Sequence, residues 1–253
     1  MAVLAIAAAL HAWIVPGCAP RVSVPVDPGA FATAAVAPAA ARAESLGSWV
    51  ATGKIEAQLD GRRGRGRLRV VFLAPHRLRA DFEFSGVFGL FGARSVLWAG
   101  DEGLWWQEGA RPPAPVDADA LFAPVLGYPA GVRELEFLLF GLPALWKRWP
   151  ELPQIREEDD GYALTARLAD GSIELAQVAG HPPVLRRLER RDPEGRVTMV
   201  ARFDRHRVVA GLPVALRIEV RAPRGGNRLR IDWRDFEPEW AGAAAALAWP
   251  SLP

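Results

Sequence analysis

From residue 49 onward, hydrophobic and polar residues alternate along many short segments. In residues 53–59, Ile55, Ala57 and Leu59 fall on one face of an extended chain, and charged or amide side chains fall on the other. The same period of two recurs in residues 65–72, 77–84 and 213–221. Further strands are predicted over residues 95–99, 104–107, 162–169, 172–178, 184–191, 196–204 and 228–233. The pattern therefore predicts ten or eleven antiparallel strands, joined by Asp-Gly and Gly-Gly turns, in a sheet with one solvated face.

The middle of the chain follows a different pattern. Residues 117–126 and 131–140 are typical of two short helices, and the second has apolar residues at helical spacing. We expect Gly127 and Gly141 to end these helices, with Pro143 marking the second end.

A sheet of this many strands has to curl. The predicted fold class is mainly β (α+β): a strongly curved antiparallel half-barrel with two or three short helices plugging its concave side. Because two short helices cannot fill so large a concave space, we expect an apolar cavity that suits acyl chains or other hydrophobic ligands.

The inward-facing side chains of these elements are the candidate lining of that space. They are Leu68, Val70, Phe72, Leu78, Phe82, Phe84, Trp98, Trp105, Leu135, Leu139, Ile218 and Ile231. For any one of them, packing in an ordinary core is the alternative interpretation.

The first fifteen residues form an apolar run that is too short to cross a bilayer as a helix, and residues 1–17 are typical of a secretion signal. The run ends at Val15-Pro16-Gly17-Cys18, which resembles the processing box of bacterial lipoproteins. That resemblance implies a diacylglyceryl group on the Cys18 sulfur, cleavage before Cys18 and acylation of the new amino terminus. An incidental cysteine after an apolar segment is the alternative.

Residues 19–45 are rich in Ala, Pro and Val without a sustained period, which is typical of a flexible tether. We therefore expect a lipidated cysteine and tether over residues 18–45, followed by a single folded domain over residues 46–253. Inner-membrane lipoproteins of the enterobacterial type carry Asp where this chain has Ala19, so the resemblance implies sorting to the periplasmic face of the outer membrane.

Charge and composition exclude several function classes. The chain has 31 basic and 29 acidic residues, a formal net charge of +2, so no strong field draws it to nucleic acid. The Gly61–Arg67 segment, rich in Arg and Gly, is predicted to be a solvated hairpin. One cysteine cannot form an intramolecular disulfide or a multi-thiolate zinc site, and the four histidines are scattered. No hydrolase motif is present, so we expect a binding protein without a cofactor, not an enzyme.

The segment Ser85–Gly92 has a glycine at every third position but lacks the Lys and Ser/Thr of a phosphate-binding loop. Its apolar residues Val87, Phe88, Leu90 and Phe91 would need a hydrophobic binding partner, such as lipid, if they were exposed. The sequence therefore predicts a membrane-inserting loop. The alternative is that Phe88 and Leu90 fold back into the core.

Arginines alternate with apolar residues on the predicted outer face of the sheet. Those singled out as candidates for attracting acidic lipid headgroups or an acidic carrier are Arg69, Arg79, Arg187, Arg217 and Arg230. The simpler interpretation is that they form the solvated side of the sheet.

Several short motifs together resemble the LolB family of outer-membrane lipoprotein receptors and insertases. The Asp-Ala-Asp-Ala-Leu of residues 117–121, the Leu-Gly-Tyr-Pro of 126–129, Leu135 and the Leu-Phe-Gly-Leu-Pro of 139–143 are similar to its central helical segment. Trp49 with Gly53-Lys54-Ile55 is similar to its first strand, and residues 82–92 lie where the family has an apolar loop.

The resemblance covers roughly residues 46–236. It implies a cavity for the acyl chains of lipoproteins, a loop that dips into outer-membrane lipid, and a soluble periplasmic carrier of the LolA type as partner, with no covalent chemistry. We expect a monomer. The alternative function is an accessory envelope lipoprotein of the same fold that binds another amphiphile or serves as a protein-interaction platform.

Overall fold

The computed structural model describes residues 24–85, 94–101, 103–128 and 132–248. Within these residues, fourteen antiparallel strands form one sheet in the order β1-β8-β9-β10-β11-β12-β13-β14-β2-β3-β4-β5-β6-β7. The strands are Val24–Val26 (β1), Ser48–Leu59 (β2), Arg62–Leu73 (β3), Arg77–Ser85 (β4), Arg94–Gly100 (β5), Gly103–Glu108 (β6), Ala114–Pro115 (β7), Gln154–Glu158 (β8), Gly161–Arg167 (β9), Ile173–Ala179 (β10), Val184–Arg191 (β11), Val197–Val209 (β12), Leu212–Ala222 (β13) and Asn227–Pro238 (β14).

The sheet confirms the predicted fold class, a mainly β chain with a curved, unclosed antiparallel sheet and few short helices. Each of the eleven predicted strands is present. The three additional strands are β1, β7 and β8, which have three, two and five residues. Strands this short carry too few alternating positions for a period of two to stand out.

The described helices are Pro28–Phe31 (α1), Ala37–Ser45 (α2), Ala118–Leu126 (α3), Val132–Phe140 (α4), Leu142–Arg148 (α5) and Ala243–Ala246 (α6), with a π-helical turn at Ala32–Val36. The helices predicted at 117–126 and 131–140 are thus confirmed. The second helix ends at Phe140, immediately before Gly141, as predicted. Pro143 lies in the first turn of a further short helix, α5, where its missing N–H costs nothing. None of the described helices is both long and apolar enough to span a bilayer.

Two inward-facing glycines lie where neighbouring strands leave no room for a side chain. A Cβ on Gly53 would lie 2.6 Å from the backbone oxygen of Asp232 on the neighbouring strand, and a Cβ on Gly66 would clash with the carbonyl of Glu83. The strands approach so closely here that only a residue without a side chain fits. The register also shifts between Trp233 and Asp235 in β14, which adds local twist.

The N-terminal segment is not a free tether from residue 24 onward. β1 pairs with β8 through Val26 and Ile155, at one edge of the sheet. Phe31 is only 5 % exposed, and its ring lies 4.8 Å from that of Tyr162 and 5.8 Å from that of Trp146. The prediction of a flexible tether is therefore wrong for residues 24–45, because a few apolar side chains anchor this Ala-rich stretch to the core. Residues 18–23 lie outside the described part.

The two faces of the sheet are covered differently. The main core lies on the concave face, between the sheet and α3, α4 and α5. On the outer face, the C-terminal segment packs Ala243 and Leu247 against Val50 and Val71. The outer face is thus solvated over only part of its area, which the alternating pattern of β2 and β3 did not reveal.

Candidate functional site

A cavity lies between the concave face of the sheet and the helices α3 and α4. Its wall consists of apolar side chains from β2 to β6 and β14 (Ile55, Ala57, Leu59, Leu68, Val70, Leu78, Ala80, Phe82, Phe84, Leu97, Trp106, Leu229, Ile231, Trp233) and from the two helices (Leu121, Phe122, Val125, Leu126, Leu135, Leu138, Leu139). The cavity volume is about 110 Å³, and the space between the walls reaches about 910 Å³ when the open mouth is included. The cavity therefore offers dispersion contacts and shelter from water, but no charged group on the described wall.

Local periodicity positions this wall. Successive side chains of a strand point to opposite faces, so every second residue of β3 and β4 faces the helices. On α4, Leu135, Leu138 and Leu139 share one face because they are three and four positions apart. The same spacing brings Leu121 and Val125 of α3 together on the cavity side.

Of the twelve residues predicted to line the cavity, eight lie on its wall. They are Leu68, Val70, Leu78, Phe82, Phe84, Leu135, Leu139 and Ile231. Each comes from a strand or helix whose pattern is unambiguous in the sequence.

Trp98 and Trp105 do not line the cavity. They are cross-strand neighbours, and the Arg79 guanidinium of the outer face lies 5.3 Å from the centre of the Trp98 ring. Leu97 and Trp106 take the inward positions instead. Ser95 to Gly100 are all buried, so β5 lacks the alternation that identifies an inward face, and a one-residue error exchanges the faces.

Phe72 and Ile218 face the core beside the cavity. Phe72 stacks on Trp49, with ring centres 5.4 Å apart, and meets Phe140 edge-on. Ile218 is 1 % exposed, and its strand partners are Phe203 and Ile231. For these two residues the ordinary core interpretation is the correct one.

Most of the wall residues missed by sequence reasoning fall into two groups. Ile55, Ala57, Leu59 and Ala80 lie on faces that the alternating pattern already marked as inward, so the signal was present. The α3 residues Leu121, Phe122, Val125 and Leu126 come from a helix with few polar residues, whose pattern does not say which side meets the sheet.

A buried charged cluster holds the helices over the cavity. Arg148 of α5 donates from Nη2 to the hydroxyl of Tyr128 (2.9 Å) and to Oε1 of Glu174 on β10 (3.0 Å). Trp149 donates from Nε1 to the other oxygen of Glu174 at 2.7 Å, and Glu134 of α4 lies 3.5 Å from Arg148 Nε. Glu174 is completely buried. The cluster therefore joins α4, α5 and the sheet by groups that cannot exchange their partners for water.

Electrostatics in this cluster favour the paired state. Burial raises the pKa of Tyr128 to about 12, so its hydroxyl remains protonated. Burial acts against the charge of Arg148, but Tyr128, Glu174 and Glu134 outweigh it and raise its pKa above the ordinary value. The cluster is thus a fixed positioning element. In the described residues, no group of three His, Cys, Asp or Glu side chains is arranged to hold a metal ion.

Two further contacts between ionisable side chains join the helices to their neighbours. His76 Nδ1, in the turn between β3 and β4, lies 2.7 Å from Oε1 of Glu136 on α4. Lys147 of α5 pairs with Glu44 of α2 at 2.8 Å. Both contacts are solvated, so they orient the helices more than they stabilise them.

The five arginines singled out on the outer face each pair with a carboxylate. Arg69 and Arg79 contact Asp81, Arg187 contacts Glu189, and Arg217 and Arg230 contact Asp232, at distances between 2.7 and 3.7 Å. Burial alone would raise the pKa of Asp232, but hydrogen bonds from Arg217 and Arg230 lower it below the ordinary value. Each of these arginines is therefore ion-paired within the sheet, although the five of them share only three carboxylates. Cys18 and the loop residues Val87, Phe88, Leu90 and Phe91 lie outside the described residues.

Comparison with known proteins identifies related folds. No family model matches the chain, and no curated protein matches it. A DUF1329 family protein from Desulfovibrio piger is similar over 83 % of this chain and 96 % of its own, with 14 % identity and a TM-score of 0.59.

Two further solved structures are similar to the chain. A domain described as that of an outer membrane lipoprotein-sorting protein from Vibrio parahaemolyticus covers 81 % of this chain and 90 % of its own, with 12 % identity and a TM-score of 0.58. A LolA superfamily protein from Nitrosomonas europaea covers 80 % of this chain and 93 % of its own, with 12 % identity and a TM-score of 0.49. The chain thus shares its fold with the DUF1329 protein and the lipoprotein-sorting domain, and the closer resemblance to the LolB family stays a prediction.

Proposed function

We propose that the protein binds the acyl chains of lipoproteins in the apolar cavity and helps to insert them into the outer membrane. The observation that carries this proposal is a cavity that is lined entirely by apolar side chains and is open to solvent at one side. The fold shared with a lipoprotein-sorting domain supports it. In this proposal, a soluble periplasmic carrier of the LolA type supplies the cargo, and the protein acts as a monomer by binding and release, without catalysis.

The size of the cavity sets how a chain can occupy it. A cavity of about 150 Å³ is enough for a ligand the size of benzene, so one of 110 Å³ holds only a short part of an acyl chain. A long acyl chain therefore has to use the open mouth between the sheet and the helices as well. Each methylene that leaves water for this wall contributes about 0.8 kcal/mol.

Native mass spectrometry with a triacylated peptide tests the proposal. We expect a retained one-to-one adduct with the full chain carrying Cys18→Ser, which removes acylation at this position. Ala80→Phe places a ring in the cavity and should abolish the adduct. Ala169→Phe adds the same ring at an exposed position and should retain it. Equal adduct levels in all three proteins would contradict binding in this cavity.

We further propose that Cys18 carries the lipid anchor on the periplasmic face of the outer membrane and that Val87, Phe88, Leu90 and Phe91 insert into the bilayer during release. Replacing Phe88, Leu90 and Phe91 with Asp should abolish release of cargo into liposomes while transfer from the carrier continues. Unchanged release would refute the role of the loop.

A second candidate function is the binding of another amphiphile. The observation that favours it is the absence of a charged or hydroxyl side chain on the described wall, because such a wall selects alkyl chains without selecting a headgroup. Competition between the triacylated peptide and a lysophospholipid separates the two. Displacement at equimolar concentration would support a general amphiphile carrier.

A further inference from the structure

A second apolar space lies between the N-terminal segment, residues 24–45, and the sheet. One wall comes from β1, α1, the π-helical turn and α2, and the other from Tyr162 of β9, the turn between β10 and β11, and the first residues of β13 with the turn before them. Its volume is about 490 Å³, well above the 110 Å³ of the cavity. This space is named the N-terminal groove.

Two anchors hold the N-terminal segment across the groove. At one end, the Phe31 ring contacts Tyr162 and Trp146. At the other end, Arg42 donates from Nε to the backbone oxygen of Ala210, on the hairpin of β12 and β13. At a rise of about 1.5 Å per residue, the helical chain between Phe31 and Arg42 spans about 16 Å. The segment therefore bridges the groove between two fixed ends.

The middle of this bridge is the π-helical turn at Ala32–Val36. Such turns are rare in proteins and occur frequently at functional sites. Ala34 and Ala35 of the turn line the groove, whereas Val36 is buried in the core. The turn thus faces the groove with side chains that are too short to fill it.

A narrow neck joins the groove to the cavity. Leu138 and Leu139 of α4 line both the neck and the cavity, and Ala39, Pro183 and Pro213 line both the neck and the groove. The volume of the neck is about 20 Å³, which is room for about one water-sized group. The cavity, the neck and the groove therefore lie in series, and the neck excludes headgroups and branched chains.

The chemistry of the groove favours an alkyl chain over a peptide as its occupant. Four of its lining residues are prolines, which have no N–H to donate. Among the lining residues that the structure describes, Tyr162 and His181 alone have polar side chains. A peptide in the groove would leave most of its own N–H and C=O groups without partners, whereas an alkyl chain has no such groups.

We propose that the N-terminal groove holds the far end of an acyl chain whose first part lies in the cavity. This inference rests on the proposed function and extends it, because the cavity alone holds only a short part of a chain. The headgroup stays at the open mouth, and the chain passes the neck in single file as the half-buried Leu138 changes rotamer. The end of the chain lies under the π-helical turn, so the protein prefers long, unbranched chains.

Titration with two lipopeptides tests the groove, with the full chain carrying Cys18→Ser as the parent protein. Both peptides have the same sequence and one amino-terminal acyl chain, of 8 or of 16 carbons. Each methylene that leaves water strengthens binding about fourfold, so the parent should bind the 16-carbon peptide at least about a hundredfold more tightly than the 8-carbon one.

Variants of the N-terminal segment separate the groove from the cavity. Ala35→Phe fills the groove, and Ala39→Phe closes its junction with the neck. Each should weaken binding of the 16-carbon peptide at least about tenfold and leave binding of the 8-carbon peptide unchanged. Ala41→Phe adds the same ring at an exposed position of α2 and should bind both peptides as the parent does.

Photo-crosslinking locates the end of the chain directly. A diazirine on the last carbon of the 16-carbon chain should label residues 30–39 or Tyr162, as identified by mass spectrometry of the digested protein. Label confined to the cavity wall overturns the proposal. So does label in the groove that an excess of the unacylated peptide removes, since that result would assign the groove to a peptide.

The titrations distinguish failure of this inference from failure of the proposed function. If the parent binds neither peptide, the proposed function is wrong. If it binds both and the two groove variants keep the full preference for 16 carbons, only the groove is refuted. A loss in Ala41→Phe equal to that in the groove variants, or a loss of 8-carbon binding in both groove variants, also overturns the inference. Circular dichroism confirms that each variant is folded.

Discussion

Replacing Glu174 with Gln should destabilise the fold strongly although the change removes no volume. Glu174 is completely buried and accepts hydrogen bonds from Arg148 at 3.0 Å and from Trp149 at 2.7 Å. The amide has a single oxygen to accept with, and it leaves the Arg148 charge without its closest counter-ion. Removing one partner of a buried ion pair costs about 3–5 kcal/mol because the remaining charge is uncompensated.

The structure sets the expected size within that range. Glu134 stays 3.5 Å from Arg148 Nε and compensates part of the charge, so we expect a loss of about 3 kcal/mol in the free energy of unfolding. Urea unfolding followed by circular dichroism measures it through the midpoint at constant slope. The double variant Glu174→Leu with Arg148→Met removes both charges together and should recover most of the loss.

The surface pair of Glu194 and Arg196 provides the control. Both side chains are about 60 % exposed, so Glu194→Gln should leave the midpoint unchanged. If Glu174→Gln shifts the midpoint no more than Glu194→Gln does, the buried cluster does not hold the helices and the reasoning is wrong.

Three further outcomes are expected. Gly53→Ala should lower the free energy of unfolding by about 2 kcal/mol, a typical cost of overpacking, because the added Cβ clashes with the neighbouring strand. Gly47→Ala should not, because no atom lies within 4 Å of its added Cβ, and equal midpoints of the two variants would contradict the clash at Gly53. Trp106→Leu should weaken acyl-chain binding several-fold and Trp98→Leu should not, as measured by titration with the triacylated peptide; the reverse result would exchange the faces of β5 and β6. The pKa of Asp232 is lower in the folded protein than the ordinary 3.8, so the stability that Asp232 contributes is present above pH 3.8 and is lost as the pH falls through its pKa in the folded state. Asp232→Asn should therefore make acid unfolding less steep below about pH 4, and an unchanged acid profile would refute this.

The strands of this protein are predictable because their periodicity is local. In β3 and β4, Leu68, Val70 and Phe82 alternate with charged residues, and burial of one face is enough to decide which way each side chain points. The same argument placed Leu135 and Leu139 of α4 on the cavity side. In such elements the direction of each side chain can be predicted without knowing which elements lie beside them.

Prediction failed where both faces of an element are covered. Trp98 belongs to a segment in which adjacent residues are all apolar, and Trp106 directly follows a second tryptophan. Only the packing of α3 on one side and Arg79 on the other decides which of them meets the cavity. The Ala-rich segment of Phe31 resembles a tether because its apolar content is low, yet contacts with Tyr162 and Trp146, more than a hundred residues away, fold it.

The order of hydrophobic and polar residues alone determined the fold class, the eleven longer strands, the two central helices and part of the cavity wall, because those features depend on which face of each element leaves water. Tertiary structure decided the rest: the face of β5 and β6, the cluster around Arg148 and Glu174, and the ion pairs of the outer-face arginines. These depend on contacts between residues far apart in the chain, and a local pattern holds no information about which distant carboxylate or ring a side chain will meet.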